Sequence, residues 1–455
     1  MNSSRMGDCM EKEYLIRKRP VSALLIFALP MMLGNFFQQL YTMADSVIVG
    51  RFVGEDALAA VGASYSLTNV FISIAIGGGV GASVITSQTF GRRDYPRMKR
   101  SVSTVLLAFL GISILLGGVG LLFSQQIMVL LRTPENIMDQ AVTYLNIYFL
   151  GLPFLFMYNV LSSMFNALGR SRIPLYLLIF SSVLNVVLDV YMVTAMHLGV
   201  AGVAWATLIA QGVSAVISFM IFLRELRSYE GKQEGIFSVT ELRNMTRVAL
   251  PSILQQSTVS IGMMLVQSVV NSFGSEMLAG YSAAMRIESL CIVPMAAMGN
   301  AISSYTAQNI GAGEFDRVKK GYRSSYGIIL AFAVVICIAA ELLSRPLISL
   351  FMEEGGSSLA FDTGISCVRF MGWFYGMIGL KMVTDGVLRG AGDMKMFTIA
   401  NLANLSLRVI LAVTLAPRFG IAFVWFAVPV GWTINYLISL VEYRTEKWKV
   451  TGQRT

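Results

Sequence analysis

The chain contains one histidine and four cysteines in 455 residues, and only 13% of its residues are charged. It has no HExxH pair, no CxxC pair and no GxSxG motif with catalytic partners, which argues against a zinc enzyme, a disulfide framework and a serine hydrolase. The run Gly77-Gly78-Gly79 lacks a preceding strand and a following GK[ST] motif, so it predicts close helix packing rather than a phosphate-binding loop. We therefore predict that the protein is neither an enzyme nor an ATP-driven pump, and that it binds no cofactor and no metal cluster.

Apolar residues dominate the composition. They make up 55% of the chain, and the mean hydropathy is +0.66. A soluble domain could not bury that much apolar surface. Runs of about 20 apolar residues, the length that crosses a bilayer, predict twelve transmembrane helices in an all-α membrane protein. These spans lie near 21–49, 57–90, 101–124, 136–168, 173–196, 199–223, 247–273, 277–309, 322–343, 361–388, 396–416 and 420–443.

Basic residues predict the orientation of the chain in the membrane. The two chain ends and every second loop carry 27 of the 35 Lys and Arg residues, whereas the alternate loops carry four. Cytoplasmic loops retain basic residues during insertion, so we expect both termini in the cytoplasm. The net charge of +9 then reflects orientation and contact with anionic membrane lipids, and we predict no nucleic-acid partner.

The two halves of the sequence resemble each other. Ala28-Leu29-Pro30 recurs as Ala249-Leu250-Pro251, and Leu168-Gly169-Arg170 matches Ala391-Gly392-Asp393. Six spans per half make the repeats parallel, which predicts two six-helix bundles with a cavity between them. The predicted domains are a cytoplasmic N-terminal segment (1–20), an N-terminal bundle (21–224), a linker (225–246), a C-terminal bundle (247–443) and a cytoplasmic tail (444–455).

Two aspartates lie inside apolar spans of the N-terminal half. Asp45 lies six residues before Arg51 in span one, and Asp189 lies eight residues before His197 in span five. An unpaired carboxylate at this position costs several kcal/mol, so it predicts a function. Because both residues lie at a similar depth, we expect them to share one site.

Polar residues at helical spacing accompany these aspartates on spans one, four, five and six. Facing lipid they would be costly, so we expect them to enclose a polar chamber. A hydrogen-bond network that serves only packing is the alternative, although Asn would serve stability as well as Asp. The residues predicted to line the chamber are Gln38, Tyr41, Tyr144, Asn159, Ser162, Thr207 and Gln211, with Asn185 beside the carboxyls.

A pair of carboxylates in a partly dry chamber suits proton coupling, because burial and mutual repulsion disfavour the state in which both are ionised. Sodium is the alternative, since Asp45, Asp189, Asn185 and Thr207 could supply oxygen ligands. Pro30 lies fifteen residues before Asp45 and removes one helix hydrogen bond, so it predicts either a moving hinge or a static kink.

Several motifs together resemble the multidrug and toxic compound extrusion (MATE) family, in its prokaryotic DinF-like and MepA-like branch. They extend over nearly the whole chain and include Ala44-Asp45-Ser46 through Gly50, Asn185 to Asp189, Gln308 to Gly313, and Arg389-Gly390-Ala391-Gly392-Asp393. The resemblance implies export of amphipathic, often cationic, compounds driven by protons or sodium ions, by a protein of the plasma membrane. It also implies that Asp45 and Asp189 are the coupling carboxylates, with Tyr144, Asn159, Asn185 and Thr207 around them. We expect a monomer.

The C-terminal half does not repeat this site. In place of an acid in span seven it has Gln255 to Thr258, which argues against a sodium site there. Lys381 and Asp385 are spaced for a structural ion pair. Glu288 could pair with Arg286 or Arg408, or could contact a cationic substrate. A lipid-linked oligosaccharide or lipid flippase of the same superfamily is the alternative function.

Overall fold

The computed structural model describes residues 13–233, 235–352 and 358–454, and within these residues it contains helices and no strand. Residues 1–12 of the predicted N-terminal segment, residue 234 of the linker and residue 455 of the tail lie outside the described ranges. In chain order the helices are α1 (Tyr14–Arg17), α2 (Pro20–Ile48), α3 (Glu55–Gly91), α4 (Tyr95–Leu130), α5 (Glu135–Ala167), α6 (Arg172–Val190), α7 (Gly199–Arg227), α8 (Val239–Asn271), α9 (Ser275–Cys291), α10 (Val293–Gly311), α11 (Phe315–Ser349), α12 (Ser358–Gly372), α13 (Tyr375–Ala391), α14 (Met394–Phe419), α15 (Ala422–Thr445) and α16 (Lys447–Arg454).

Eleven stretches of the described chain are long and apolar enough to cross a membrane. Large apolar side chains such as Leu115, Leu122 and Leu130 are more than half exposed, as expected of surfaces that face lipid. The difference from the twelve predicted spans lies at span ten, 361–388. There the helix is interrupted at Trp373 and Phe374, so α12 and α13 are each too short to span alone.

The structure forms two compact units. One comprises Leu33–Ile253, here the N unit, and the other comprises Met1–Met32 with Leu254–Thr455, here the C unit. The boundaries fall within helices, two residues after Pro30 in α2 and two residues after Pro251 in α8. These unit boundaries differ from the predicted limits of the two bundles. The bundle limits stay a prediction.

Helix α5 is the centre of the N unit and packs against α3, α4 and α7. Glycines allow these helices to approach closely: a Cβ on Gly117 would lie 2.8 Å from the backbone oxygen of Phe149, and one on Gly79 would lie 2.8 Å from Ser163 Oγ. Small residues at helix contacts are the usual means of tight packing in membranes. The α3–α5 and α4–α5 contacts thus hold the helices that surround the polar site.

The linker packs on the first turns of α4 within the N unit. Buried Glu241 pairs with Arg97 at 2.7 Å and accepts a hydrogen bond from Ser101 at 3.2 Å. Lys99 Nζ donates to the backbone oxygens of Tyr229 and Gly231. These contacts satisfy the buried charge of Glu241 and fix the linker to the helix end.

Candidate functional site: a carboxyl pair in the N unit

The two intramembrane aspartates of the N unit lie side by side. Asp45 on α2 is half-buried, Asp189 on α6 is fully buried, and their carboxyl groups lie within hydrogen-bonding reach of each other. Two ionised carboxylates this close repel each other, and neither can donate a hydrogen bond to the other. The geometry therefore suits a site in which two carboxyls share one proton.

Asn185 connects the pair to the neighbouring helix. Its neighbours determine how its amide points: the nitrogen donates to Asp189 Oδ2 at 2.9 Å and to the Tyr41 hydroxyl at 3.0 Å. The amide oxygen accepts from the Thr207 hydroxyl at 3.2 Å and from the Thr207 backbone N–H at 3.0 Å. Hydrogen bonds to α2, α6 and α7 thus satisfy both the nitrogen and the oxygen of the amide, which fixes the side chain in one orientation.

A small cavity, with room for about one water molecule, lies next to this network between α5 and α7. Tyr144, Thr207 and Gln211 line it, together with Tyr148 and Leu155. The Tyr148 hydroxyl donates to the Thr68 backbone oxygen at 3.1 Å, which leaves its ring facing the cavity. The lining is mainly apolar and aromatic with a few polar groups.

Both aspartate-bearing helices change to π-helical geometry shortly after the carboxyls. The π-helical segments are Val49–Val53 after α2 and Tyr191–Ala195 after α6, and they contact each other. Val49 and Val193 join a small buried apolar cluster against which Tyr144 packs. This cluster lies one helical turn beyond the two carboxyls. It therefore separates the carboxyls from the ends of the π-helical segments that follow them. π-Helical turns are rare and often occur at functional sites.

Three of the predicted lining residues lie away from the carboxyl pair. Gln38 is exposed. Asn159 donates to the backbone oxygen of Leu155 in its own helix at 2.8 Å, and Ser162 is hydrogen-bonded to Tyr158. Asn159 shares a helix with Tyr144, but fifteen residues correspond to about 22 Å, too far for one site.

The C unit buries its own charged groups. Lys381 Nζ lies 3.4 Å from Asp385 Oδ2 with both side chains 3% exposed, as an ion pair that also bonds Asn401. Arg408 is the charge that faces buried Glu288, whereas Arg286 lies over the Phe351 ring. The Lys381–Asp385 pair neutralises buried charge within the unit, whereas Glu288 Oε2 and Arg408 Nε each lack a hydrogen-bond partner among the described residues.

Both halves of the chain match a known protein family. The family model described as MatE matches residues 30–191 and 251–414, one copy in each half of the chain. The chain belongs to the MatE family. This membership confirms the resemblance read from the motifs, and it makes the protein a membrane transporter of the MATE type rather than an enzyme.

Relatives and solved structures agree with this assignment. The chain is 30% identical to the probable multidrug resistance protein YpnP of Bacillus subtilis, over 94% of this chain and 95% of that protein. It is 28% identical to the probable multidrug resistance protein YoeA of the same organism, over 93% of each. The fold matches that of a MOP superfamily transporter from Pyrococcus furiosus with a TM-score of 0.88, at 24% identity over 97% of this chain and 98% of that one. The all-helical fold class is thereby confirmed.

Proposed function

We propose that this MATE transporter is a secondary active multidrug antiporter, which exports amphipathic, often cationic, compounds in exchange for protons by alternating access. The observation that carries the proposal is the direct contact between Asp45 and Asp189 in a membrane-buried site. Two carboxyls that share a proton can release it when a cation arrives, because the cation then stabilises the second negative charge. The relatives named for multidrug resistance support the substrate class.

The orientation of Asn185 favours the proton over sodium. A sodium ion between the aspartates would need oxygen ligands, but the amide presents its nitrogen to Asp189. Turning the amide oxygen towards the ion would lose the hydrogen bond from the Thr207 backbone N–H, and the amide nitrogen would then donate to the Thr207 hydroxyl at 3.2 Å. A proton requires no such change, since two neighbouring carboxyls can share it without any movement of the amide.

The aromatic lining of the small cavity beside the site, rather than its volume, supports binding of flat, amphipathic molecules. Tyr144 and Tyr148 offer aromatic faces, and such faces attract organic cations. Thr207 both lines the cavity and bonds Asn185, so these two residues connect a compound bound in the cavity to the carboxyl pair. We infer that binding and protonation compete through this short path.

Bending of α2 is part of the proposed cycle. Pro30 lies in α2 about 22 Å before Asp45, and we propose that α2 bends there when the pair changes its charge.

We place the protein as a monomer in the plasma membrane of a prokaryote, surrounded by lipid, with both chain ends in the cytoplasm. That orientation is supported by the 27 basic residues of the cytoplasmic segments against four in the alternate loops.

Export of ethidium, an amphipathic cation, from vesicles with imposed ion gradients tests this proposal. We expect a proton gradient alone to drive ethidium transport, and a sodium gradient of equal size at symmetrical pH to have no effect. Transport driven by sodium alone would make the carboxyls a sodium site. Movement of a fluorescent lipid-linked sugar, with no movement of ethidium under either gradient, would favour the flippase instead.

Replacing Thr207 by Val should weaken coupling without removing the carboxyls. The change keeps the side-chain shape but removes the hydroxyl that donates to the Asn185 amide oxygen. Loss of one such bond costs about 0.5–1.5 kcal/mol, so we expect proton-driven ethidium export to fall about 2- to 10-fold.

The matched control is Thr414→Val, which removes an exposed hydroxyl that bonds only within its own helix, at Ile410. Initial export rates at fixed protein amount compare the two variants. Equal rates for Thr207→Val and Thr414→Val would show that the Asn185 orientation plays no part in coupling.

A further inference from the structure

Helices α5 and α7 of the N unit also enclose a groove that is much larger than the small cavity near the carboxyl pair. The groove has a volume of about 400 Å³ and is lined by Phe154 of α5 and by six residues of α7 between Leu208 and Ile217. All seven lining residues are apolar. Phe154, Val213 and Val216 are each more than a third exposed. The groove therefore has the volume of a site for a small organic molecule, which the small cavity lacks.

The groove lies in the middle of a membrane span. Leu208 follows the first residue of α7 by nine residues and Ile217 precedes the last by ten, so about 14 Å of helix extends beyond each end of the groove. Met220 and Leu223 lie one and two turns after Val216 on the same face of α7 and are also more than a third exposed, as expected of a surface that faces lipid. A ligand therefore reaches this groove from the bilayer rather than from water.

The floor of the groove is an uncovered aromatic ring. Gly212 of α7 has no side chain to cover Phe154, and a Cβ at this position would lie 3.6 to 3.8 Å from three atoms of that ring. Flat apolar molecules stack on such a ring, and its face attracts organic cations. The groove thus suits a flat aromatic cation better than a flexible chain.

Leu208 separates the groove from the polar site. Its side chain lines both the groove and the small cavity, where Thr207 and Gln211 are its neighbours. Opposite it on α5 is Gly151, at which a Cβ would lie 3.2 Å from Leu208 Cγ. The Leu208 side chain thus fills the space between the two helices at this point. An amphipathic cation has an apolar body for the groove and a polar group for the cavity beyond it, whereas a lipid acyl chain has only the apolar part.

We propose that the groove between α5 and α7 is a docking site for the apolar body of amphipathic cations dissolved in the bilayer, and that Leu208 is the partition they displace to reach the polar cavity. The size, the apolar lining and the depth of the groove support docking from lipid, and the position of Leu208 supports passage towards the carboxyl pair. The proposal gives the substrate class a route of entry and rests on the proposed function.

Photolabelling with ethidium azide, which on illumination attaches covalently where it is bound, tests this site. The full-length protein is labelled in proteoliposomes without any ion gradient, and labelled peptides are identified by mass spectrometry. In the wild type we expect label within residues 208–217 of α7. In Val216→Trp the indole occupies part of the groove, so this label should fall at least about 4-fold, the equivalent of one buried methylene group.

Val183→Trp is the matched control, because Val183 is an exposed residue of α6 that does not line the groove. It should label as the wild type does. Gly212→Ala is a second test variant: its Cβ makes an ordinary contact with the Phe154 ring, so the fold is kept, but it covers that ring and should also reduce the label. The docking site is refuted if residues 208–217 stay unlabelled in the wild type, or if both groove variants label as strongly as Val183→Trp.

Three further outcomes separate this proposal from its alternatives. Leu208→Ala opens the partition, so label should extend to residues 144–148 of α5, and label confined to the groove would contradict the role of Leu208. Asp189→Asn should label as the wild type does, because docking precedes coupling, so a failure of proton coupling is distinguished from a failure of docking. A phospholipid with a photoreactive acyl chain that labels residues 208–217 equally with and without excess ethidium would make the groove a lipid site and overturn the proposal.

Discussion

Replacing Asp189 by Asn is expected to reduce proton-driven ethidium export to background. Asp189 is fully buried and contacts both Asp45 and Asn185. Asparagine has the same shape and can still bond Asp45, but it carries no proton that a substrate could displace. We expect Asp45→Asn to act in the same direction, since either change leaves a single carboxyl. Export from vesicles with equal amounts of each variant measures the effect.

Asp139→Asn provides the matched control in the same unit, because Asp139 is exposed near the start of α5. It should export ethidium at the wild-type rate. Folding is checked by the elution profile of each purified variant. A folded Asp189→Asn variant that exports at the rate of Asp139→Asn would remove the pair from the coupling mechanism.

Adding one methyl group at Gly386 should destabilise the C unit by about 1–3 kcal/mol. Gly386 of α13 packs directly on the backbone of α10, and a Cβ there would overlap the backbone oxygen of Gly299. Backbone atoms of a packed helix cannot move aside as a flexible side chain can. The thermal unfolding midpoint of Gly386→Ala in detergent should therefore lie clearly below that of the wild type.

Gly327→Ala is the control, since a Cβ at Gly327 of α11 meets nothing within 4 Å. Alanine is the better helix former by about 1 kcal/mol, so this variant should be as stable as the wild type or slightly more stable. Equal midpoints for the two alanine variants would contradict the close α10–α13 packing.

The sequence predicted most of the helices because apolar length is a strong signal in membrane proteins. It also predicted a common depth for Asp45 and Asp189, since that depends only on the number of residues to the helix end. The interruption at Trp373 and Phe374 has no comparable signal, because both residues are themselves apolar. Likewise, the π-helical turns after α2 and α6 follow from packing at their ends and leave no pattern in the residues.

Side-chain partners were predicted less well than helices. Helical spacing places residues on a face, but it does not say which of them reach a neighbouring helix, so Asn159 and Ser162 were expected at a site from which they lie apart. The amide direction of Asn185 depends on a backbone N–H of α7, which no sequence pattern specifies.

Reverse coupling tests the central claim most directly. Proteoliposomes containing a pH-sensitive dye are given an ethidium gradient, with equal pH and no sodium on either side. If Asp45 and Asp189 couple ethidium to protons, downhill ethidium movement must drive protons the opposite way, and the internal pH should change in the wild type but not in Asp189→Asn. Ethidium movement through the wild type without any change in internal pH, or an equal pH change in both proteins, would contradict the account.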